Sequence, residues 1–198
     1  MSLITLPSWF KPDGFALRQS TTQRAHSSPF GGSEQVVDLL NDRWIANVSL
    51  PLRLHRDAAE VEAFVASMRG MTNTVNLYHF VRKVPRGTMR GTPTTINNPA
   101  AQGSASLLIA ATVGATLLAG DLIGVSGLLL QVADDCVANG SGNITVPLVN
   151  RLRKSIPAGT AVVWDKPTAP FRMMSTPAVQ YVPGYAEGVS LDFAEVIL

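Results

Sequence analysis

The chain is short of charge, nearly without cysteine, and without any cluster of side chains that would mark a reacting centre. Charged residues make up 15% of its 198 positions and hydrophobic ones 46%. That balance excludes a disordered segment, and the length suffices for one substantial domain or two small ones. Low charge fits either a large core or a surface that is covered in the working state. A net charge of +2 is too small to argue for nucleic acid or an anionic membrane as partner. Cys136 has no second cysteine to pair with, so no internal disulfide framework is expected and no oxidising compartment is needed. Residues 1–14 lack a basic stretch followed by a long apolar one, so no secretory signal is expected, and the sequons at Asn47, Asn139 and Asn143 read as chance matches.

A long uninterrupted apolar run is also missing. Residues 104–120 carry no charge, and Asp121 alone breaks the apolar character that continues to Val132. A spanning helix needs about 20 apolar residues, but Gly114, Gly120, Gly124 and Gly127 interrupt this stretch at short intervals. No Lys or Arg cluster flanks it closely, and the GxxxG spacing of Gly120 and Gly124 is common by chance. The stretch predicts buried β-strands separated by glycine turns, not a membrane span.

Reactive groupings are equally scarce. His26, His55 and His79 are dispersed, with no ligand partner at metal-binding spacing. Cys136 has no CxxC partner and reads as inert. The segment from Gly124 through Ser126 to Leu128 starts like a nucleophile elbow but ends on Leu128 where glycine is required. Gly140-Ser141-Gly142 opens like a dinucleotide loop with no helix after it. Asp134 and Asp135 are adjacent, and neighbours in a strand point to opposite faces. The basic groups Arg151, Arg153, Lys154 and Arg82, Lys83, Arg86, Arg90 lie beside proline or glycine turns, where solvated charge is ordinary. Between residues 92 and 172 only Trp164 and Phe171 are aromatic, too few to stack along a strand of bases. No catalytic, cofactor-binding or metal-binding residue is expected.

What is present is β-structure around one helix. Residues 57–69 form the clearest amphipathic segment, with Asp57 as expected N-cap, Glu60 three residues on, and Gly70 as the expected C′ stop. Val61, Phe64, Val65 and Met68 make one apolar stripe, whose plainest role is to cover a sheet. Strands are predicted over 14–22, 34–40 and 43–50, the last two joined as a hairpin by Asn41-Asp42. A helix over 34–44 is the competing reading there. A strand over 74–83 follows, with Val75, Leu77, His79 and Val81 on one side. Residues 84–98 then lose periodicity and gather prolines and glycines, as an exposed linker or domain boundary would. Short strands are expected at 105–111, 122–125, 128–133, 143–146 and 160–164, spaced as in a small barrel or sandwich. Pro167 and Pro170 mark the exit, and 189–198 alternates as a closing strand. The expected fold is mainly β. A β-sandwich domain with one α-helix, residues 1–91 plus 173–198, is interrupted by a small inserted β domain, an OB-like barrel or a sandwich, over 92–172.

The ordered pattern resembles a known class. Ser28-Pro29-Phe30-Gly31-Gly32-Ser33-Glu34-Gln35 precedes Arg43-Trp44, which opens a strand. The helix ends in Met68-Arg69-Gly70, a glycine-punctuated insert closes with Pro170-Phe171-Arg172, and a strand runs over 189–198. Together these resemble virion tail proteins of long-tailed bacteriophages, with the distal tail protein as the nearest functional class. The resemblance implies a ring-forming β-sandwich with a small β insert, assembled as a homohexamer between the tail tube protein and the tail-tip or baseplate hub protein. It implies a virion location, synthesis in the host cytoplasm, and no catalytic residues to carry over. Strands 43–50 and 74–83 and the segment 84–98 are the expected contact surfaces. A carbohydrate- or receptor-binding tail module, tested at Trp164, is the first alternative. A small hydrolase using Ser126 or the Asp134-Asp135 pair is the second.

Overall fold

Period-two alternation is cleanest in Arg43–Leu50, where Trp44, Ala46, Val48 and Leu50 are all buried. The computed structural model, which describes residues 2–27, 29, 31–39, 41–95 and 99–197, places this strand inside a six-stranded sheet. The order across the sheet is Leu3–Ile4, Thr74–Leu77, Ala169–Met173, Val189–Glu195, Arg43–Leu50 and Gly14–Ser20. Only the Leu3–Ile4 pairing is parallel. Val189–Glu195 repeats the alternation of its neighbour, burying Val189, Leu191 and Phe193, so both central strands present a full apolar face. The chain is mainly β with one helix, as the sequence predicts.

The helix, His55–Ser67, covers that apolar face. Val61, Phe64, Val65 and Met68 all enter the core beneath it, and the rings of Trp9 and Phe10 pack on Phe64 at 6.1 and 5.5 Å. Its ends differ from expectation. The helix begins two residues before Asp57, with extended Leu54 at the N-cap and no side-chain cap. Asp57 instead sits in the first turn, where its charge still faces the positive end of the dipole. At the far end the C-cap is Met68, and Arg69 precedes Gly70 in the left-handed region, with φ of 48° and 63°. The orphan carbonyl of Ser67 is met by the buried Asn73 side chain, whose Nδ2 donates to it at 2.9 Å. A side-chain cap from beyond the helix thus replaces the simple glycine stop.

Two strand expectations change. Glu34–Asp38 does not fold back on Arg43–Leu50 through Asn41-Asp42. It pairs with Gln23–Ser27, from Gln23 opposite Asp38 to Ser27 opposite Glu34, while Arg43–Leu50 pairs with Gly14–Ser20. A central strand with a fully apolar face is best covered by long apolar partners on both edges, which Gly14–Ser20 and Val189–Glu195 supply. Asn41-Asp42 therefore carries the chain onward, and Leu40 lies outside the described residues. The strand expected over 74–83 stops at Leu77. Beyond it, Phe80 turns off the sheet to pack on Phe10 and Phe15 at 5.7 and 5.1 Å, leaving Val81 77% exposed.

A second core gathers residues between Met89 and Trp164. Its sheets are Leu128–Gln131, Leu122–Val125 and Val162–Val163 in one, and Asn143–Pro147, Ser106–Ala110 and Thr94–Thr95 in another, with Cys136–Val137 paired to Thr116–Leu117. Among the described residues these sheets do not close into a barrel, so the sandwich-like alternative is the one present. The glycine-punctuated apolar run is four of these strands, and among the described residues no helix is long and apolar enough to cross a membrane. The chain re-enters the first sheet at Ala169–Met173, whose Ala169, Phe171 and Met173 belong to the first core. Residues 169–172 therefore pack with the sandwich, outside the second cluster.

Residues 84–95 are not exposed throughout. Met89 is fully buried, and Pro85, Gly87 and Pro93 are buried beside it. Gly87 explains the composition, since a Cβ there would lie 2.1 Å from the Thr116 carbonyl oxygen. Loss of periodicity here reflects close backbone approach at Gly87 as well as exposure at its neighbours. Residues 96–98 lie outside the described residues.

Candidate functional site

The two cores are joined by a polar bolt. Arg153 forms an ion pair with Glu195 on the central strand, with the two side chains 9% and 1% exposed. Glu195 Oε2 also accepts from the Trp44 backbone amide at 3.0 Å, and Arg153 Nη1 donates to the Asp42 carbonyl at 2.8 Å. The Trp44 indole donates to the Leu129 carbonyl at 2.8 Å. A buried pair held by further hydrogen bonds fixes geometry more than it adds stability. Arg153 was expected to be a solvated charge; its partner comes from far along the chain, so no local pattern signals it. Beside this bolt, Asp42 has its carboxyl pushed up by burial, then by Asp38, while Gln19 Nε2 donates to it at 3.2 Å.

From the bolt an arm leaves the sheet. Gln23–Ser27 and Glu34–Asp38 form a two-stranded ribbon in which every residue is exposed. It prolongs the pairing of Gly14–Ser20 with Arg43–Leu50, bridged by the Leu39 amide donating to the Thr22 carbonyl at 3.1 Å. Directly opposed residues share a face, so Gln23, Ala25, Ser27, Glu34, Val36 and Asp38 form one side. That side carries two carboxylates flanking Val36. Arg24 and His26 lie on the other side with Val37. Ser28 and Phe30, expected as part of the turn, lie outside the described residues.

At the opposite end of Gly14–Ser20 a groove of about 530 Å³ opens. Phe10, Tyr78 and Phe80 wall it, with Tyr78 and Phe80 rings 4.7 Å apart. Its rim carries Lys11, Lys83 and Lys166, three of the chain's four lysines. The Lys166 amide donates to the Lys83 carbonyl at 2.7 Å, which ties two distant segments together at the rim. Among the described residues none of the three has a carboxylate at ion-pair distance. Lysine against so many arginines was the signal available in the sequence; the convergence of three segments was not.

The expected chemistry residues are scattered and mostly structural. His26 stands on the arm, and His55 Nε2 contacts the Val182 and Tyr185 carbonyls. His79 packs on Phe15 and its Nδ1 accepts from the Arg82 amide at 2.9 Å; burial, then the Arg82 charge, holds its imidazole at about 4. Among the described residues no group of three His, Cys, Asp or Glu is placed to hold a metal. Ser126 and Gly127 form an exposed turn with φ of 51° and 78° between Leu122–Val125 and Leu128–Gln131, so Ser126 is a hairpin residue. Asp135 accepts from the Ala119 amide at 2.8 Å. Half-buried Cys136 pairs in register with Leu117, and burial pushes its thiol up, which suppresses thiolate chemistry.

The arginines at 82–90 are spent on backbone carbonyls, while Lys83 stays on the groove rim. Arg82 and Arg86 donate to Gly120 and Ala119, and Arg90 reaches Pro85, Gly87 and Met89. Buried Asp121 completes this knot, accepting from the Arg86, Gly87 and Leu118 amides at 2.9, 3.1 and 2.9 Å. Trp164 donates to the Gly91 carbonyl and is capped by the Arg90 guanidinium at 5.0 Å. Of the expected contact surfaces, Arg43–Leu50 and Thr74–Leu77 are interior strands with both edges paired, and in 84–95 buried Pro85, Gly87, Met89, Pro93 and Thr95 are interspersed with exposed residues. Exposed features among the described residues include the arm, the lysine groove, and the apolar side chains of Leu52, Leu54, Tyr181 and Tyr185. The chain matches no protein-family model and no curated protein.

Proposed function

We propose that this protein is a non-enzymatic structural subunit of a phage tail tip or baseplate, a distal tail protein whose homohexameric ring joins the tail tube protein to the tail-tip hub protein. The observation that carries this reading is the arm. A lone two-stranded ribbon is at best marginal in water, and this one is exposed on both faces. A segment built that way gains its stability from a surface outside its own fold. The sequence resemblance to tail proteins supplies the class, and the one-helix β architecture is compatible with it.

A ring of identical subunits uses one patch to grip a different patch on the next copy, and closes when the rotation between neighbours divides the circle. The arm at one end of Gly14–Ser20 and the groove at the other provide two such unlike patches. The receptor-binding alternative has less support, because the Trp164 ring is already stacked and hydrogen-bonded. Light scattering on size-exclusion fractions, followed by negative-stain electron microscopy, tests the reading. A ring with a central channel is the expected result. A strict monomer at high concentration overturns it.

A further inference from the structure

The arm and the groove match each other in charge and in shape of contact. One side of the arm presents Glu34 and Asp38 on either side of Val36 and Ala25, all exposed. Glu34 and Asp38 have no ion-pair partner among the described residues. The groove presents the complement: an aromatic wall of Phe10, Tyr78 and Phe80 beneath a rim of Lys11, Lys83 and Lys166. An apolar centre between two acids thus faces an apolar floor between amines.

Topology decides whose groove the arm enters. The groove lies at the Gly14 end of Gly14–Ser20, where Phe15 packs on Phe80. The arm leaves at the Ser20 end and runs onward. Seven residues separate the ends, about 23 Å at roughly 3.3 Å per residue, and the arm points away from its own groove. An arm so placed reaches only the groove of another molecule.

We infer that the acidic side of the arm, Glu34, Val36 and Asp38, docks into the lysine-rimmed aromatic groove of a second copy of this chain. The inference rests on the ring reading and specifies its contact. Because donor and acceptor patches differ and sit at opposite ends of one strand, the contact is head-to-tail. When each copy grips a different neighbour, it builds a ring or an open chain. Rim charges set the pairing and are screened by salt, while the aromatic wall and Val36 supply the apolar contact.

Charge exchange tests it in the full chain. One variant carries Lys11→Glu with Lys83→Glu, the other Glu34→Lys with Asp38→Lys; all four side chains are exposed, and a thermal melt confirms that each variant folds. Each alone is expected to raise the concentration needed for assembly by about tenfold or more, since like charges then meet at the contact. Mixed in equal amounts they are expected to assemble again, because each acidic patch now finds a basic one on the other variant. Mere misfolding would not give that rescue. If both variants assemble like the parent, this contact is wrong and the ring reading stands. If the parent itself stays monomeric, the ring reading falls and the contact falls with it. Loss of assembly without rescue on mixing overturns the pairing of these two patches, and leaves the groove to another acidic ligand.

Discussion

One ribbon runs through two environments. Where Gly14–Ser20 pairs with Arg43–Leu50, the inner strand buries every second residue and is covered by the helix. A few residues on, Gln23–Ser27 pairs with Glu34–Asp38 in the same antiparallel manner and buries nothing. Backbone hydrogen bonding is common to both halves, so it does not account for their difference. The inner half has side-chain burial at roughly 25 cal/mol per Å² of apolar surface, and the outer half has only cross-strand pairs of a few tenths of a kcal/mol. The inner half is anchored by its own fold; the outer half is not, and the proposed docking would supply its anchor.

The boundary between the halves is the Arg153–Glu195 bolt, and breaking it should give the largest effect. Arg153→Met leaves the Glu195 carboxylate buried without its partner, and a loss of about 3–5 kcal/mol in urea unfolding is expected. A loss below about 1 kcal/mol would mean that solvent reaches Glu195 and that the boundary is soft.

The next experiment puts one substitution into each half. Val48 is fully buried and Val36 is 57% exposed. Val48→Ala is expected to cost about 2–3 kcal/mol through lost burial and the cavity left behind. Val36→Ala should stay within about 0.5 kcal/mol in the monomer. Equal costs would mean that the arm packs on something in the isolated chain, which erases the comparison.

A smaller effect concerns the groove end. His79 stays neutral in the folded protein down to about 4, because burial and then Arg82 oppose its charge. The unfolded chain takes up that proton near 6.5, so between these values the unfolded state binds more protons. Stability therefore falls as pH drops from about 6.5 to about 4, and this contribution levels off below that. His79→Gln should flatten that part of the profile in thermal melts across the range. An unchanged slope would assign it to other groups.

How much of this was legible from the residues depended on whether the cause was local. The strand Leu122–Val125 was readable because a glycine turn bounds each end of an apolar run. The helix stripe was readable because Val61, Phe64, Val65 and Met68 keep a 3.6-residue period. Its ends were not, since the cap that matters is Asn73, which lies outside the helix. Residues 34–38 were rightly read as extended, but their partner was misassigned: two valines and a following Asn-Asp pair suit a tight hairpin as well as an arm. Residues 84–95 were legible only in part, because proline and glycine mark tight backbone contact as readily as exposure. The groove was invisible, since its three lysines come from segments that meet only in the folded chain.

The placement of Val189–Glu195 bears on the order in which the molecule can form. This strand is synthesised after the other five of its sheet, yet it stands third from one edge of the six-stranded sheet, between Ala169–Met173 and Arg43–Leu50. The second core draws on a continuous stretch between Met89 and Trp164, so its contacts close short loops and can form while synthesis continues. The sheet that carries the arm has to wait for its own centre. During that interval Arg43–Leu50 lacks its Val189–Glu195 partner, and an emerging chain presents the arm before the sheet that orients it is complete. Pulse-labelled amide exchange during refolding should accordingly find Ser106–Ala110 protected ahead of Arg43–Leu50. On the proposed ring reading, a copy made in this order orients its arm only once Val189–Glu195 has docked, so a copy whose sheet is incomplete is a poor partner for its neighbours.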